Sequence, residues 1–247
     1  MRLIKSLITL SLIATTSTVM ASNAKLQQQL QAQGYQFIEK IPAPAGLEGW
    51  VGLKDDYPST VFISNDQKYY IVGSLMNANN EDLTEQAIQQ HAKSAVLDKV
   101  WENLENSTWI LDGKADAPKV VYVFTDVNCP YCYQFWQQAR PWVDAGKVQL
   151  RHIMVGVIRD TSRGQAATLL SHKDPAALFK QYNQSAMKKN IATMAKIPAK
   201  IEQQLDANEA LMQKYGFYAT PAMLWKNAQG QLESMDGLPQ NPKDIFQ

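Results

Sequence analysis

The feature that most constrains this chain is a run of β-branched and apolar residues that leads into a closely spaced cysteine pair. Val120-Val121-Tyr122-Val123-Phe124-Thr125 has the composition of a strand buried on both faces. Asp126-Val127-Asn128 forms a short connection, and Cys129-Pro130-Tyr131-Cys132 opens a helical pattern through Gln134, Phe135, Trp136 and Ala139. Pro141 should kink that helix, because proline lacks the N–H of the ladder. Gly146 should end it, and Val148 to Val157 reads as a second strand. Strand, helix, strand in this order demands parallel strands joined by a right-handed crossover. The cysteine pair then sits at the N-terminus of the crossover helix.

Those two cysteines are the only ones in 247 residues. A structural bridge across so small a ring would remove little entropy from the unfolded chain. A zinc site needs about four ligands, whereas His91, His152 and His172 are scattered with no paired spacing. Redox chemistry fits better. The thiolate is the reactive form in disulfide exchange, and a helix N-terminus favours an anion through its dipole and unpaired N–H groups. Cys129 is therefore the candidate nucleophile. Cys132, one turn further in and expected to be more shielded, can donate its S–H to that thiolate and resolve a mixed disulfide. Pro130 suits the first helical turn. Tyr131, between the cysteines, is expected to be exposed and to contact substrate together with Pro130. Two sulfurs suffice for this chemistry, so no cofactor and no metal are expected.

The N-terminus reads as an export signal. Arg2 and Lys5 precede an uncharged apolar stretch from Ser6 to Thr18, and Val19-Met20-Ala21 offers small residues for cleavage. Ser22-Asn23-Ala24 is a second cleavage option, and an uncleaved anchor is the alternative. Removing residues 1–21 leaves 22 Lys and Arg against 23 Asp and Glu, a balance that points neither to nucleic acid nor to a membrane surface.

Three regions follow. Residues 22–80 read as a small α+β unit: a helix over Lys25 to Gln33 ended by Gly34, then strands at Tyr35 to Ile41, Trp50 to Leu53, Thr60 to Ser64 and Lys68 to Ser74. Asp55-Asp56-Tyr57-Pro58 reads as a turn and Thr60 to Gly73 as a hairpin. Residues 81–106 read as one uninterrupted helix of about six turns, roughly 37 Å long, with acids at its start; it acts as a rigid spacer or packs on the domain that follows. Residues 107–247 hold the β–α–β unit, a mostly helical stretch over about 160–215 split at Pro175 and Pro198, and a closing hairpin around Asn227-Ala228-Gln229-Gly230. Met187 and Met194 are read as core filling, as are Trp101, Trp136 and Trp142.

A buried strand, a CxxC at a helix start and Thr220-Pro221 before a hairpin resemble the thioredoxin fold. The words Trp109 to Lys114, Val121 to Asp126, Gln134 to Val143 and Gly146 to Arg151 resemble the periplasmic DsbC/DsbG family, its DsbG branch in particular. The resemblance implies a thioredoxin-like domain with a helical insertion, preceded by a cystatin-like dimerisation domain and a linker helix. It implies a cis proline at Pro221, with Thr220 lending backbone groups to substrate. It implies a periplasmic homodimer that isomerises or reduces disulfides of exported proteins, reduces sulfenylated single cysteines, and is kept reduced by a membrane donor of the DsbD type. The second, structural cysteine pair of the DsbC branch is missing here. Thioredoxin's buried acid is replaced by Val123, which leaves Asp126 as the nearest carboxylate, either a helix cap or a catalytic group. A dithiol oxidase and a holding chaperone with a secondary redox site are the alternatives.

Overall fold

The computed structural model describes residues 26–246, so the expected export signal lies outside the described residues. The chain divides into two compact units, Met1–Val100 and Trp101–Gln247.

In the first unit, α1 (residues 26–32) precedes a four-stranded antiparallel meander of β1 (Tyr35–Ile41), β2 (Leu47–Lys54), β3 (Tyr57–Ser64) and β4 (Tyr70–Val72). The turn between β2 and β3 is tighter than expected. Only Asp55 and Asp56 form it, both with positive φ (50° and 71°), and Lys54 already pairs with Tyr57. Two left-handed residues match the twist of the flanking strands, so Tyr57 and Pro58 belong to β3. At Gly52 a Cβ would lie 1.8 Å from the Gln36 carbonyl oxygen, so β1 can approach only a glycine there.

Helical structure then runs from Leu83 to Asn106: α2 (Leu83–Ala87), a π-helical segment (Ile88–Ala92) and α3 (Lys93–Asn106). Asp82 caps its start by accepting from Thr84 N and Glu85 N. The π segment interrupts what the sequence reads as a plain helix, and nothing in the local residues explains it. Ala87 and Ala92 pack into a core with Ile41, Val51 and Phe62. The start of the helix therefore completes the first unit's own core.

The second unit is a five-stranded sheet in the order β5-β7-β6-β8-β9, built from β5 (Trp109–Asp112), β6 (Lys119–Asp126), β7 (Val148–Val155), β8 (Ala222–Lys226) and β9 (Leu232–Asp236). Only β6 and β7 are parallel, in register from Lys119↔Val148 to Asp126↔Val155. The crossover is α4 (Pro130–Val143). It continues through Pro141, near enough to its end that little of the ladder is lost. Gly146 (φ 70°) closes it: Gly146 N donates to Val143 O and Lys147 N to Trp142 O, the paired bonds of a Schellman motif. Phe135, Ala139 and Val143 of α4 pack on Val121, Val123, Val148 and Leu150.

Three helices, α5 (Ser162–Leu170), α6 (Pro175–Gln184) and α7 (Ala199–Lys214), are inserted between β7 and β8, and α8 (Lys243–Phe246) ends the described chain. Pro175 opens α6 behind the Asp174 cap, and Pro198 caps α7. Phe179, Tyr182 and Leu205 join Trp136 and Met154 in a second core, with Met187 and Met194 packed against it. Strand β7 stops two residues short of the expected Val157, because the Val157 and Ile158 amides turn away to the Asp126 carboxylate. Among the described residues no helix is long and apolar enough to cross a membrane.

Candidate functional site

The end of β6 delivers Cys129 to the start of α4. Cys129 is the N-cap residue in extended conformation (φ −84°, ψ 113°), and Pro130 occupies the first turn. Both cysteines are free thiols. The Cys129 Sγ accepts from Cys132 N at 3.3 Å. On the other side it donates to the Thr220 carbonyl oxygen at 3.2 Å. Residue 220 is 91 positions away in sequence and arrives through the cis Thr220–Pro221 peptide at the entry to β8. Four positions named from sequence (Cys129, Cys132, Thr220 and Pro221) therefore meet at one point, and Pro130 and Tyr131 lie at its surface. Tyr131 is 56% exposed.

Both sulfurs are closed to solvent, and Cys132 is the deeper of the two, as expected. Cys129 is 2% exposed and Cys132 5%, because the Thr220–Pro221 segment covers the outer sulfur. The asymmetry extends to ionisation. The Cys129 thiol is lowered to about 6, chiefly by the Cys132 S–H beside it. Burial opposes this, and the Thr220 side chain and the amides of Cys132 and Tyr131 assist. Burial pushes the Cys132 thiol well up, and the neighbouring Cys129 sulfur adds to the effect. One sulfur is thus ready to carry negative charge at neutral pH while its neighbour keeps a proton. The Thr220 hydroxyl is buried without a full hydrogen bond, which leaves it able to turn toward a thiolate.

Val123 is buried in the core under α4, so no carboxylate faces the pair from that strand position. Asp126 does not cap α4; Cys129 does. The Asp126 side chain instead accepts from Asn128 N, Ser162 Oγ, Val157 N and Ile158 N. Several neighbours of the site escape sequence reading. The Asn128 side chain donates to Ser162 Oγ at 3.0 Å and Gln165 Oε1 at 2.7 Å. Val157, Ile158 and Tyr218 are 48%, 45% and 82% exposed, on the loops that carry the Asp126 contacts and the cis proline. A lone apolar residue in a loop carries little sequence signal; only the fold brings these loops to the cysteines. Deeper in the unit, Asp112 binds Arg140 through both carboxylate oxygens and lies 3.7 Å from the buried His152 Nε2. Burial holds the His152 imidazole below its usual range. The Arg140 guanidinium stacks 4.1 Å from the centre of the Trp136 ring one turn back on the same helix, and its pairing with Asp112 ties α4 to β5.

The thioredoxin family model matches residues 105–232. The catalytic domain of Proteus mirabilis ScsC superposes with a TM-score of 0.50 at 22% identity, covering 60% of this chain and 91% of that one. The Trp101–Gln247 unit accordingly has a thioredoxin-like fold. The thiol:disulfide interchange protein DsbG of Escherichia coli is 40% identical over 85% of each chain. That of Pseudomonas aeruginosa is 40% identical over 97% of this chain and 96% of its own. Identity at that level across nearly the whole of both chains, on a shared fold, means that this chain belongs to the DsbG family of thiol:disulfide interchange proteins.

Proposed function

We propose that this protein is a periplasmic thiol–disulfide oxidoreductase that works as a disulfide isomerase and reductase, with Cys129 as nucleophile and Cys132 as resolving thiol. The observation that carries the assignment is the placement of the Cys129 sulfur at the N-cap of α4, where it accepts from Cys132 N and meets the Thr220 carbonyl beside the cis Thr220–Pro221 peptide; the split in acidity between the two sulfurs agrees with it. The Cys129 thiolate attacks one sulfur of a substrate disulfide, and the other substrate sulfur leaves as a thiolate. A second substrate thiol can then attack the mixed disulfide, which frees Cys129 and leaves a rearranged substrate. Alternatively Cys132 gives up its proton and attacks the Cys129 sulfur, so the substrate leaves reduced and the pair is oxidised by two electrons. With a sulfenylated cysteine, the first attack expels the hydroxyl as water on protonation, and Cys132 completes the cycle. A membrane electron donor of the DsbD type returns the pair to the dithiol.

Substrates are exported polypeptides with misformed disulfides or oxidised single cysteines. Thr220, Pro221, Pro130 and Tyr131 are their contacts; the Thr220 carbonyl already serves as an acceptor at the sulfur. Residues 1–21 are the export signal. Residues 22–80 form a cystatin-like dimerisation domain, 81–106 a linker helix, and 107–247 the catalytic domain, its insertion at about 160–215. Homodimer formation is supported by β4, an edge strand whose Tyr70, Ile71 and Val72 are all exposed. Unpaired edges of this kind readily pair with another chain.

The resting redox state tests the function. Periplasm quenched in acid and treated with a bulky thiol reagent should yield protein carrying two labels. A disulfide-bonded pair would make the chain a dithiol oxidase. Retention of full activity by Cys129→Ser would make it a holding chaperone.

A further inference from the structure

Three residues before Cys129 lies a carboxylate that none of these exchange steps uses. Asp126 ends β6 and is 1% exposed. Its Oδ1 accepts from Asn128 N and Ser162 Oγ, both at 2.8 Å; its Oδ2 accepts from Val157 N at 2.7 Å and Ile158 N at 2.9 Å. Four donors on two oxygens is the pattern of a carboxylate acting as acceptor only. Burying such a group is costly unless it is fully hydrogen-bonded, and here each bond also fixes a piece of backbone.

One of those pieces adjoins the reactive sulfur. Asn128 is the residue before Cys129, and its amide is held by Oδ1. The Cys129 amide donates to the Asp126 main-chain oxygen at 3.1 Å. The Asn128 side chain reaches Ser162 Oγ, and that hydroxyl returns to Oδ1, so the segment from 126 to 129 is closed on itself from both ends. The two Oδ2 bonds hold the carboxylate from the far side, so it cannot rotate away. Meanwhile the thiolate depends on the 3.3 Å contact of Sγ with Cys132 N, and hydrogen bonds weaken steeply as their angle worsens.

We propose that Asp126 is a positioning residue for Cys129: its carboxylate fixes the Asn128 amide and with it the cap geometry in which the Cys129 sulfur meets the donors of α4. The inference rests on the assignment of Cys129 as nucleophile. Position and charge act in opposite directions here. A nearby negative charge by itself disfavours a thiolate, so removing it would make Cys129 more acidic, whereas losing the geometry makes Cys129 less acidic. The other titratable and charged groups around Asp126 are Cys132 of α4, Tyr182 of α6, whose hydroxyl donates to Val127 O, and Arg159 in the loop after β7.

The test is Asp126→Asn in the full reduced chain. It keeps the shape but turns one acceptor oxygen into a donor that must face N–H groups. The pH dependence of iodoacetamide alkylation at Cys129 is read by peptide mass. The midpoint should rise by about one pH unit, slowing alkylation about fivefold near pH 6 and leaving it unchanged near pH 9, where both proteins are ionised. A defect of folding alone would not confine itself to low pH. An unmoved midpoint, or one shifted to lower pH, overturns the proposal. If Asp126→Asn does not fold, Ser162→Ala cuts the return link from Asn128 and should move the midpoint in the same upward direction by less; no movement there overturns the proposal as well. A wild-type Cys129 that titrates like an ordinary thiol would instead sink the nucleophile assignment, while the difference between variant and wild type still judges Asp126.

Discussion

Cys129→Ala should remove a pH-dependent part of the reduced protein's stability. An ordinary thiol ionises near 9.0, and in the folded chain Cys129 ionises at about 6. Between those values the unfolded chain binds more protons at this position than the native one, so stability rises with pH. The contribution is fully present above about pH 9 and is lost as pH falls through about 6. At about 1.4 kcal/mol per pH unit, it amounts to roughly 1 kcal/mol at pH 7, roughly 2–3 kcal/mol at pH 8 and at most about 4 kcal/mol. The sulfur lies at the outer edge of the site beside the exposed Pro130 and Tyr131, so solvent screening makes these figures upper values. The assay is urea unfolding of reduced wild type and Cys129→Ala at about pH 5.5, 7 and 8, followed through the thioredoxin-like unit. Lost packing gives a constant offset, and all other titrating groups cancel in the comparison. The difference between the two proteins should grow by roughly 1 kcal/mol from pH 7 to pH 8 and settle to the offset at about pH 5.5. Oxidised wild type has no thiol at this position and should lack the slope. A difference that stays flat from pH 5.5 to 8 would refute the reasoning, since no depressed ionisation would then exist. The same effect favours the dithiol over the disulfide, which makes the pair more oxidising than one with ordinary thiols.

Cys132→Ala removes the largest donor to the Cys129 thiolate; the alkylation midpoint of Cys129 should rise, and mixed disulfides with exported substrates should accumulate on non-reducing gels. Arg140→Met strips Asp112 of its cation while leaving the carboxylate buried beside His152; urea unfolding should register a loss of about 3–5 kcal/mol. Ile71→Lys places a charge on the exposed β4 edge; sedimentation should detect monomer in place of the proposed dimer, with the alkylation profile of Cys129 unchanged.

What the sequence made legible here is what local rules decide. A doubly buried strand, proline in a first helical turn and glycine at a helix end each act within a few residues, and α4 starts and stops where they require. The cysteines could be read as a reactive pair because their spacing alone excludes a strong structural bridge. The direction of the asymmetry between the sulfurs was legible too, since the order of the two cysteines along α4 decides which lies outermost and which can donate its S–H to the other. What stayed hidden depends on partners far along the chain. Asp126 looked like a cap for the adjacent helix, but three of its four donors lie 31 to 36 residues away, beyond β7. The cover over Cys129 comes from residue 220. No periodicity encodes either pairing. The first follows from the parallel register that sets Asp126 beside Val155 and so brings the next residues of that chain within reach of the carboxylate; the second follows from the antiparallel pairing of Ala222 with Phe124, which carries the Thr220–Pro221 segment to the start of α4. The parallel register also explains why β7 ends early. A sheet ladder and a carboxylate competed for the amides of Val157 and Ile158, and a buried acceptor that would otherwise go unsatisfied outweighs two bonds at a strand's frayed end. The error in the strand boundary and the misplaced role of Asp126 are therefore one event, and they converge on the residue whose removal most directly tests how the site is held.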